Sequence, residues 1–175
     1  FDKLASLIAD GCRSVERVQQ LGLFSRHTVF FNHQLTCDGI SANSEHGRQK
    51  RLQNRQEWFR RALEKTQNCD IVFLDPDNGI EISSVPKYVK AATKHVFFDE
   101  IKAFVSRQQT VVVYHHLGRQ GKHIAQIRRR KEQLESYLGS GKIVLALRFK
   151  PYSPRAYFII ASIKQEDEMR FKLEQ

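Results

Sequence analysis

Acidic and histidine side chains follow three short apolar runs of this 175-residue chain. The runs are residues 71–74, 95–98 and 111–114, and the side chains that follow them are Asp75, Asp77, Asp99, Glu100, His115 and His116. Carboxylates and imidazoles can transfer protons or bind a metal ion. The sequence therefore predicts a site where these runs end.

Asp75 and Asp77 lie two residues apart, and Asn78 and Gly79 complete the segment. Oxygen ligands grouped in this way suit Mg²⁺ or Mn²⁺. The same residue types, with Pro76 between the two acids, also favour tight turns. The segment is therefore either part of a site or a turn with a purely structural role.

Pro76 and Asp77, with Glu100 and Lys102, spell the PD…ExK signature of a large nuclease superfamily. In that chemistry two carboxylates hold a metal, and the lysine positions or activates the attacking water. The signature requires its glutamate, here Glu100, to lie within a strand. Asp99, the residue directly before it, is instead typical of a helix start. This interpretation predicts a metal-dependent nuclease or phosphoesterase. Its possible metal ligands are Asp75, Asp77, Asp99 and Glu100.

His115 and His116 follow the apolar run 111–114 directly. Adjacent residues of an extended chain point to opposite faces, so at most one of the two enters a given site unless the strand ends between them. That histidine could serve as a general base near pH 7 or as a metal ligand. The alternative is that one ring packs in the core and the other is solvated.

The chain carries a formal net charge of +10 and a pI near 9.7. Such a charge favours an anionic partner, most often nucleic acid, although a basic surface without a partner is the alternative. Residues 118–122 contain two glycines and the cations Arg119 and Lys122, ahead of a predicted helix whose free N–H groups could cradle a phosphate. Four consecutive cations at 128–131 spread around a helix, so some of them are expected to be solvated. The nucleic-acid-binding candidates are Arg119, Lys122, Arg128, Arg129 and Arg130.

Apolar periodicity indicates elements that alternate between helix and strand. Helices are predicted at 1–21, 50–67, 84–94 and 122–138, with a short one after Asp99, and a mobile loop is predicted at 36–50. Strands are predicted at 28–31, 70–74 and 110–114, with a short strand or helix entry at 95–98. A closing hairpin is predicted at 142–149 and 156–163.

The order of these predicted elements indicates a three-layer, Rossmann-like α/β domain with a mostly parallel sheet and a C-terminal antiparallel hairpin. Ligands of such sheets bind at the carboxyl ends of the strands, where we expect the acidic and histidine side chains to converge.

The order strand, DPxN turn, helix, strand, helix, hairpin over residues 28–163 resembles the C-terminal part of a Rossmann-like S-adenosylmethionine-dependent methyltransferase. In that family the fourth strand often ends in DPPY or NPPY, and IVFLDPDN at 71–78 takes that place. The resemblance implies S-adenosylmethionine as cofactor and Asp75 as the acceptor of a hydrogen bond from the amino group to be methylated. Asp77 replaces the second proline, no aromatic residue follows, and no GxGxG-type loop follows an early strand. Because the chain begins with Phe1, the segment that binds the cofactor could lie upstream.

The 175 residues are expected to form one α/β domain that could lack an N-terminal segment. The apolar runs are too short to span a membrane, and the three cysteines fit neither a disulfide framework nor a zinc site, so a cytoplasmic protein is expected. The leading hypothesis is a nucleic-acid-acting protein of methyltransferase-like fold, as a methyltransferase or a derivative of one. The alternatives are the metal-dependent nuclease and a catalytically silent adaptor that binds nucleic acid or protein. The catalytic candidates are Asp75, Asp77, Asn78, Glu100, Lys102, His115 and His116.

Overall fold

The structure is a computed structural model that describes residues 14–119, 121–150 and 153–162. Its helices are α1 (Val15–Gln20), α2 (Glu45–Lys65), a 3₁₀ helix (Lys90–Lys94), α3 (Phe98–Ser106) and α4 (His123–Leu138). Its strands are β1 (Ile71–Leu74), β2 (Gly79–Ile80), β3 (His95–Val96), β4 (Thr110–His116), β5 (Lys142–Phe149) and β6 (Arg155–Ser162). Within these ranges no helix has the length and apolar character needed to cross a membrane.

The protein is a mixed α/β fold built on a four-stranded sheet with the order β1-β4-β6-β5. β1 pairs with β4 in parallel, and Leu74 lies opposite Val113 near the carboxyl end of both strands. β6 runs antiparallel to both β4 and β5. The sheet is therefore mixed, and the predicted C-terminal antiparallel hairpin is present as β5 and β6. A separate parallel pair, β2 and β3, completes the strands.

One face of the four-stranded sheet forms the core. Alternate residues of the strands point to this face, as the period of two requires, and are buried there. Helices α3 and α4 close the face with Ile101, Phe104 and Leu134. Helix α2 packs behind α3, where the ring of Phe59 meets that of Phe104 edge to face at 5.5 Å between centroids. The strand residues of this core are Val72, Val111, Val113, Val144, Ala156, Phe158 and Ile160.

Two helix starts differ from the predicted ones because side chains cap them. Helix α2 begins at Glu45, since Ser44 accepts a hydrogen bond from the backbone N–H of Gly47. Part of the predicted loop at 36–50 is therefore helix. Helix α3 begins at Phe98 rather than with an Asp99 cap, because the Glu100 carboxylate accepts the N–H of Phe97.

Three other predicted elements differ or lie outside the described residues. The segment 28–31 is not a strand, because its β-branched and aromatic residues pair with no neighbouring strand in the described structure. Residues 84–94 form successive i→i+3 turns ending in the 3₁₀ helix instead of one α-helix, with Val89 N–H bound to the carbonyl of Pro86. Most of the predicted helix at 1–21 and the last residues, 163–175, lie outside the description.

Candidate functional site

The carboxyl ends of β1 and β4 lie side by side, so the polar residues that follow them share one edge of the sheet. β4 continues to His116 and places His115 and His116 on opposite faces. His115 is buried on the core side, and His116 is exposed on the other. The site at this edge therefore has a buried side and a solvent-facing side.

On the buried side, two imidazoles hold the backbone that follows β1. The N–H of Ile80 donates to Nδ1 of His115 at 3.1 Å, so the proton of that neutral ring resides on Nε2. Nδ1 of His95 lies 3.3 Å from the carbonyl oxygen of Ile80, and its Nε2 lies 3.5 Å from Nδ2 of Asn78. Asn78 and His115 thus help to position the loop that carries Asp75 and Asp77.

Burial lowers the pKa of His115 to about 3, with smaller contributions in the same direction from the charges of Arg130, His95 and His116. The ring also packs against that of Phe158, at 5.8 Å between centroids. A histidine that stays neutral at physiological pH, and whose Nδ1 already accepts a backbone bond, is suited to donate from Nε2. It is poorly suited to act as a general base near pH 7.

The stability of the protein should fall as the pH is lowered from about 6.5 towards 3. The folded-state pKa of His115 lies below its ordinary value of 6.5, so the unfolded chain takes up a proton that the folded protein refuses. The stabilisation that the neutral ring provides is fully present above pH 6.5, and the free energy of unfolding should be about 2 kcal/mol lower near pH 5. Urea denaturation at about pH 7 and about pH 5 measures this difference. His115→Gln should flatten the dependence and His116→Gln should not; equal slopes in the two variants would contradict the assignment.

On the solvent-facing side, Asp75 lies among charged neighbours. Its partial desolvation and the charge of Asp77 raise the pKa of the carboxyl, and Arg155 acts in the opposite direction. Arg155 is opposite His116 in the antiparallel register of β6 and β4. Asp77 forms an exposed ion pair with Lys94 at 3.6 Å. This side therefore offers a carboxylate acceptor beside a guanidinium and an imidazole.

Glu100 has a different environment from the one its motif predicts. Its two carboxylate oxygens accept from Nε and Nη2 of Arg55 at 2.6 and 2.8 Å, and both side chains are almost completely buried. Arg55 also donates to the backbone carbonyls of Ala92 and His95. Glu100 thus helps to join α2 to α3. Sequence reasoning missed this role of Arg55, since nothing in the motif indicates a partner 45 residues earlier.

Two further residues of the PD…ExK interpretation, Asp99 and Lys102, also have other partners. Asp99 pairs with Lys87, and Nζ of Lys102 lies 5.5 Å from the ring centroid of Tyr137. Across residues 14–119, 121–150 and 153–162, no group of three or more His, Cys, Asp or Glu side chains is arranged to hold a metal ion. The described residues therefore do not assemble the PD…ExK constellation.

The predicted basic residues divide into exposed and internal ones. Arg119, Lys122, Arg128 and Arg129 are exposed and form no ion pair with the described residues. Arg130 is instead partly buried and donates to the backbone oxygen of Glu81 at 3.0 Å. In the turn before α4, the amide of Gln126 binds both the N–H and the C=O of Gly118 at 3.0 Å. A side chain therefore already occupies part of the predicted phosphate cradle.

A cleft of about 2010 Å³ runs along the free edge of β1. It lies between residues 14–38, helix α2 and β1, and it reaches Asp75 and Asp77. Trp58 lines this cleft and donates its Nε1–H to the carbonyl of His33 at 2.6 Å. Phe73 of β1 is exposed at the cleft wall. The carboxyl edge is therefore open to a large ligand.

No protein-family model, no curated protein and no solved structure matches this chain.

Proposed function

We propose that this protein acts on nucleic acid at the carboxyl edge of β1 and β4, and that its fold is Rossmann-like, related to the S-adenosylmethionine-dependent methyltransferases. Two features of the sheet support the fold assignment. The strand that ends in the DPxN turn, β1, lies parallel beside β4, and the antiparallel hairpin follows on the other side of β4. Helices α3 and α4 cover one face of the sheet, and further parallel strands belong to the proposal.

The observation that carries the function is the group of Asp75, His116 and Arg155 at that edge, in which Asp75 and His116 are exposed and Arg155 is partly buried. Asp75 is placed to accept a hydrogen bond from the exocyclic amino group of a base, which increases the nucleophilicity of the nitrogen. Arg155 favours the ionised form of this carboxylate and can also contact a phosphate. The exposed imidazole of His116 adds a hydrogen-bond donor or acceptor.

The described residues do not fit S-adenosylmethionine completely. Asp75 and the cleft beside β1 could receive one end of it. A glycine-rich turn that would bind the methionine end is not found along this edge, since the nearest glycine, Gly79, packs against His115 instead. A methyltransferase should transfer a labelled methyl group from S-adenosylmethionine to nucleic acid, and Asp75→Asn should lose this transfer. A protein that is only a derivative of that fold should transfer no label.

A metal-dependent nuclease is not favoured by a specific observation, because Glu100, Asp99 and Lys102 each have other contacts in the structure. The net charge of +10 supports nucleic acid over other anionic substrates. A silent adaptor would keep the charge without using Asp75.

The affinity for nucleic acid should fall steeply with salt, because each phosphate contact releases counterions. We expect Arg155→Gln to weaken binding and to reduce the slope of log affinity against log salt by about 0.7–0.9. Fluorescence anisotropy with a labelled oligonucleotide, between about 50 and 200 mM salt, measures both quantities.

Arg60→Gln is the matched control. Arg60 is an exposed arginine of α2, but it is paired with Glu57 and Glu64, so its removal should leave the slope unchanged. Absence of binding at the lowest salt concentration would refute the proposed function and favour a protein partner.

A further inference from the structure

The four-stranded sheet has a second face, opposite the core, that keeps large apolar side chains exposed. We name it the open face. Strand alternation and the pairing register assign its residues, which are Ile71, Phe73, Val112, Tyr114, His116, Leu145, Leu147, Phe149, Arg155, Tyr157 and Ile159. Phe73 is 56 % exposed and Phe149 is 47 % exposed. A face of this composition is typical of a surface that binds a partner.

Aromatic rings form a continuous group on the open face. Tyr157 at its centre stacks on Phe73 with ring centroids 6.4 Å apart and planes inclined by 30°. It also meets Tyr114 edge to face at 5.9 Å. Tyr114 and Tyr157 are direct cross-strand partners, and Leu147 continues the row on β5. The rings therefore form a platform that crosses the strands.

Cations border this platform on the side of the candidate site. The guanidinium of Arg155 lies 5.6 Å from the ring centroid of Phe149, its cross-strand partner. Lys150, which directly follows β5, is also exposed and forms no ion pair with the described residues. The row Phe149, Arg155, His116 leads across the sheet towards Asp75. Aromatic rings interleaved with positive charge are the combination that binds single-stranded nucleic acid.

We infer that the open face binds single-stranded nucleic acid, with bases stacked on Phe73, Tyr157 and Phe149, and leads the strand to Asp75. The inference rests on the proposed function and adds the substrate class. Four-stranded sheets with helices on one face and aromatic residues on the other can stack two or three unpaired bases. A duplex hides the faces of its bases and cannot use such a platform.

A second copy of the chain fits the open face less well. A symmetric dimer through the open face would bring Arg155 and Lys150 of one chain near the same cations of the other, and like charges at an interface oppose association. The phosphates of a nucleic acid complement these cations, and its bases complement the rings between them.

Fluorescence anisotropy with an oligonucleotide of about 12 nucleotides, single-stranded or annealed to its complement, tests the inference. We expect the single strand to bind at least about tenfold more tightly than the duplex. Phe149→Leu keeps an apolar side chain but removes the ring, and it should weaken single-strand binding by about tenfold without changing the salt slope. Since Phe149 is half exposed, this variant should fold.

Tyr137→Leu is the matched control. Tyr137 is 44 % exposed but lies on α4, on the helical side of the sheet. The Tyr137→Leu variant should bind the single strand like the wild type.

If neither oligonucleotide binds to the wild type at low salt, the proposed function fails as well. If the wild type binds but Phe149→Leu is indistinguishable from Tyr137→Leu, or the duplex binds as tightly, only the stacking inference is overturned. A dimer in sedimentation that Phe149→Leu dissociates, with unchanged oligonucleotide affinity, would overturn it in favour of a second copy.

Discussion

Replacing Gly79 by alanine should destabilise the protein by roughly 3–5 kcal/mol, which is exceptional for a single methyl group. The backbone φ of Gly79 is 97°, a conformation that side chains disfavour. A Cβ at this position would lie 2.3 Å from Nδ1 and 2.7 Å from Cα of His115. The clash involves backbone as well as a ring, so β2 or β4 must move and the bond from Ile80 N–H to His115 would be disrupted. Urea denaturation followed by circular dichroism measures the loss.

Gly139→Ala separates the clash from the backbone conformation. Gly139 follows α4 with a φ of 77°, and an added Cβ there meets nothing within 4 Å. This control should cost about 1–3 kcal/mol, because a φ of 77° with a ψ of −174° is a backbone conformation that essentially only glycine adopts. Equal losses in the two variants would show that the contact between Gly79 and His115 does not constrain the site.

The same contact shows what sequence reasoning could and could not supply. Residues 75–79 could be assigned to a turn at a strand end, because the apolar run and its breakers are local signals. The packing of Gly79 against His115 depends on the parallel pairing of β1 with β4, which joins residues far apart in the chain. No local pattern indicates which of the two adjacent histidines becomes buried.

Elements with strong periodicity were predicted well. Helix α4 and strand β5 have nearly the predicted bounds, since each has a regular apolar pattern and glycines lie between them. The segment 28–31 has the composition of a strand but no partner among the described residues, and strand propensity alone does not form a strand. The predicted helix at 84–94 is divided for a different reason. Local i→i+3 hydrogen bonds around Pro86 form turns there in place of the i→i+4 bonds of an α-helix.

The candidate site was predicted in part. The positions of Asp75, Asp77 and His116 at one sheet edge follow from strand order, which the alternation of elements indicates. The partners of Glu100 and the neighbourhood of Arg155 could not be derived, because both depend on tertiary contacts. A short motif such as PD…ExK records residue types and spacing but not which partner each side chain finds.

Removing the charge of Arg55 should destabilise the protein by roughly 3–5 kcal/mol, because it leaves the Glu100 carboxylate buried without its partner. Arg55→Met keeps an unbranched apolar stem and removes the guanidinium that also binds the carbonyls of Ala92 and His95. Glu100→Gln should be less damaging, since the amide oxygen can still accept from the N–H of Phe97. Chemical denaturation of the two variants measures both effects.

Arg60→Met, five residues further along α2, is the matched control. Its pairs with Glu57 and Glu64 are exposed, and such pairs contribute at most about 1 kcal/mol. The double variant Arg55→Met with Glu100→Gln should lose less stability than the sum of the single losses, because neutralising Glu100 removes the buried unpaired charge. If the losses simply add, Glu100 does not depend on Arg55. Its carboxylate would then be free for the metal chemistry that the PD…ExK motif predicts.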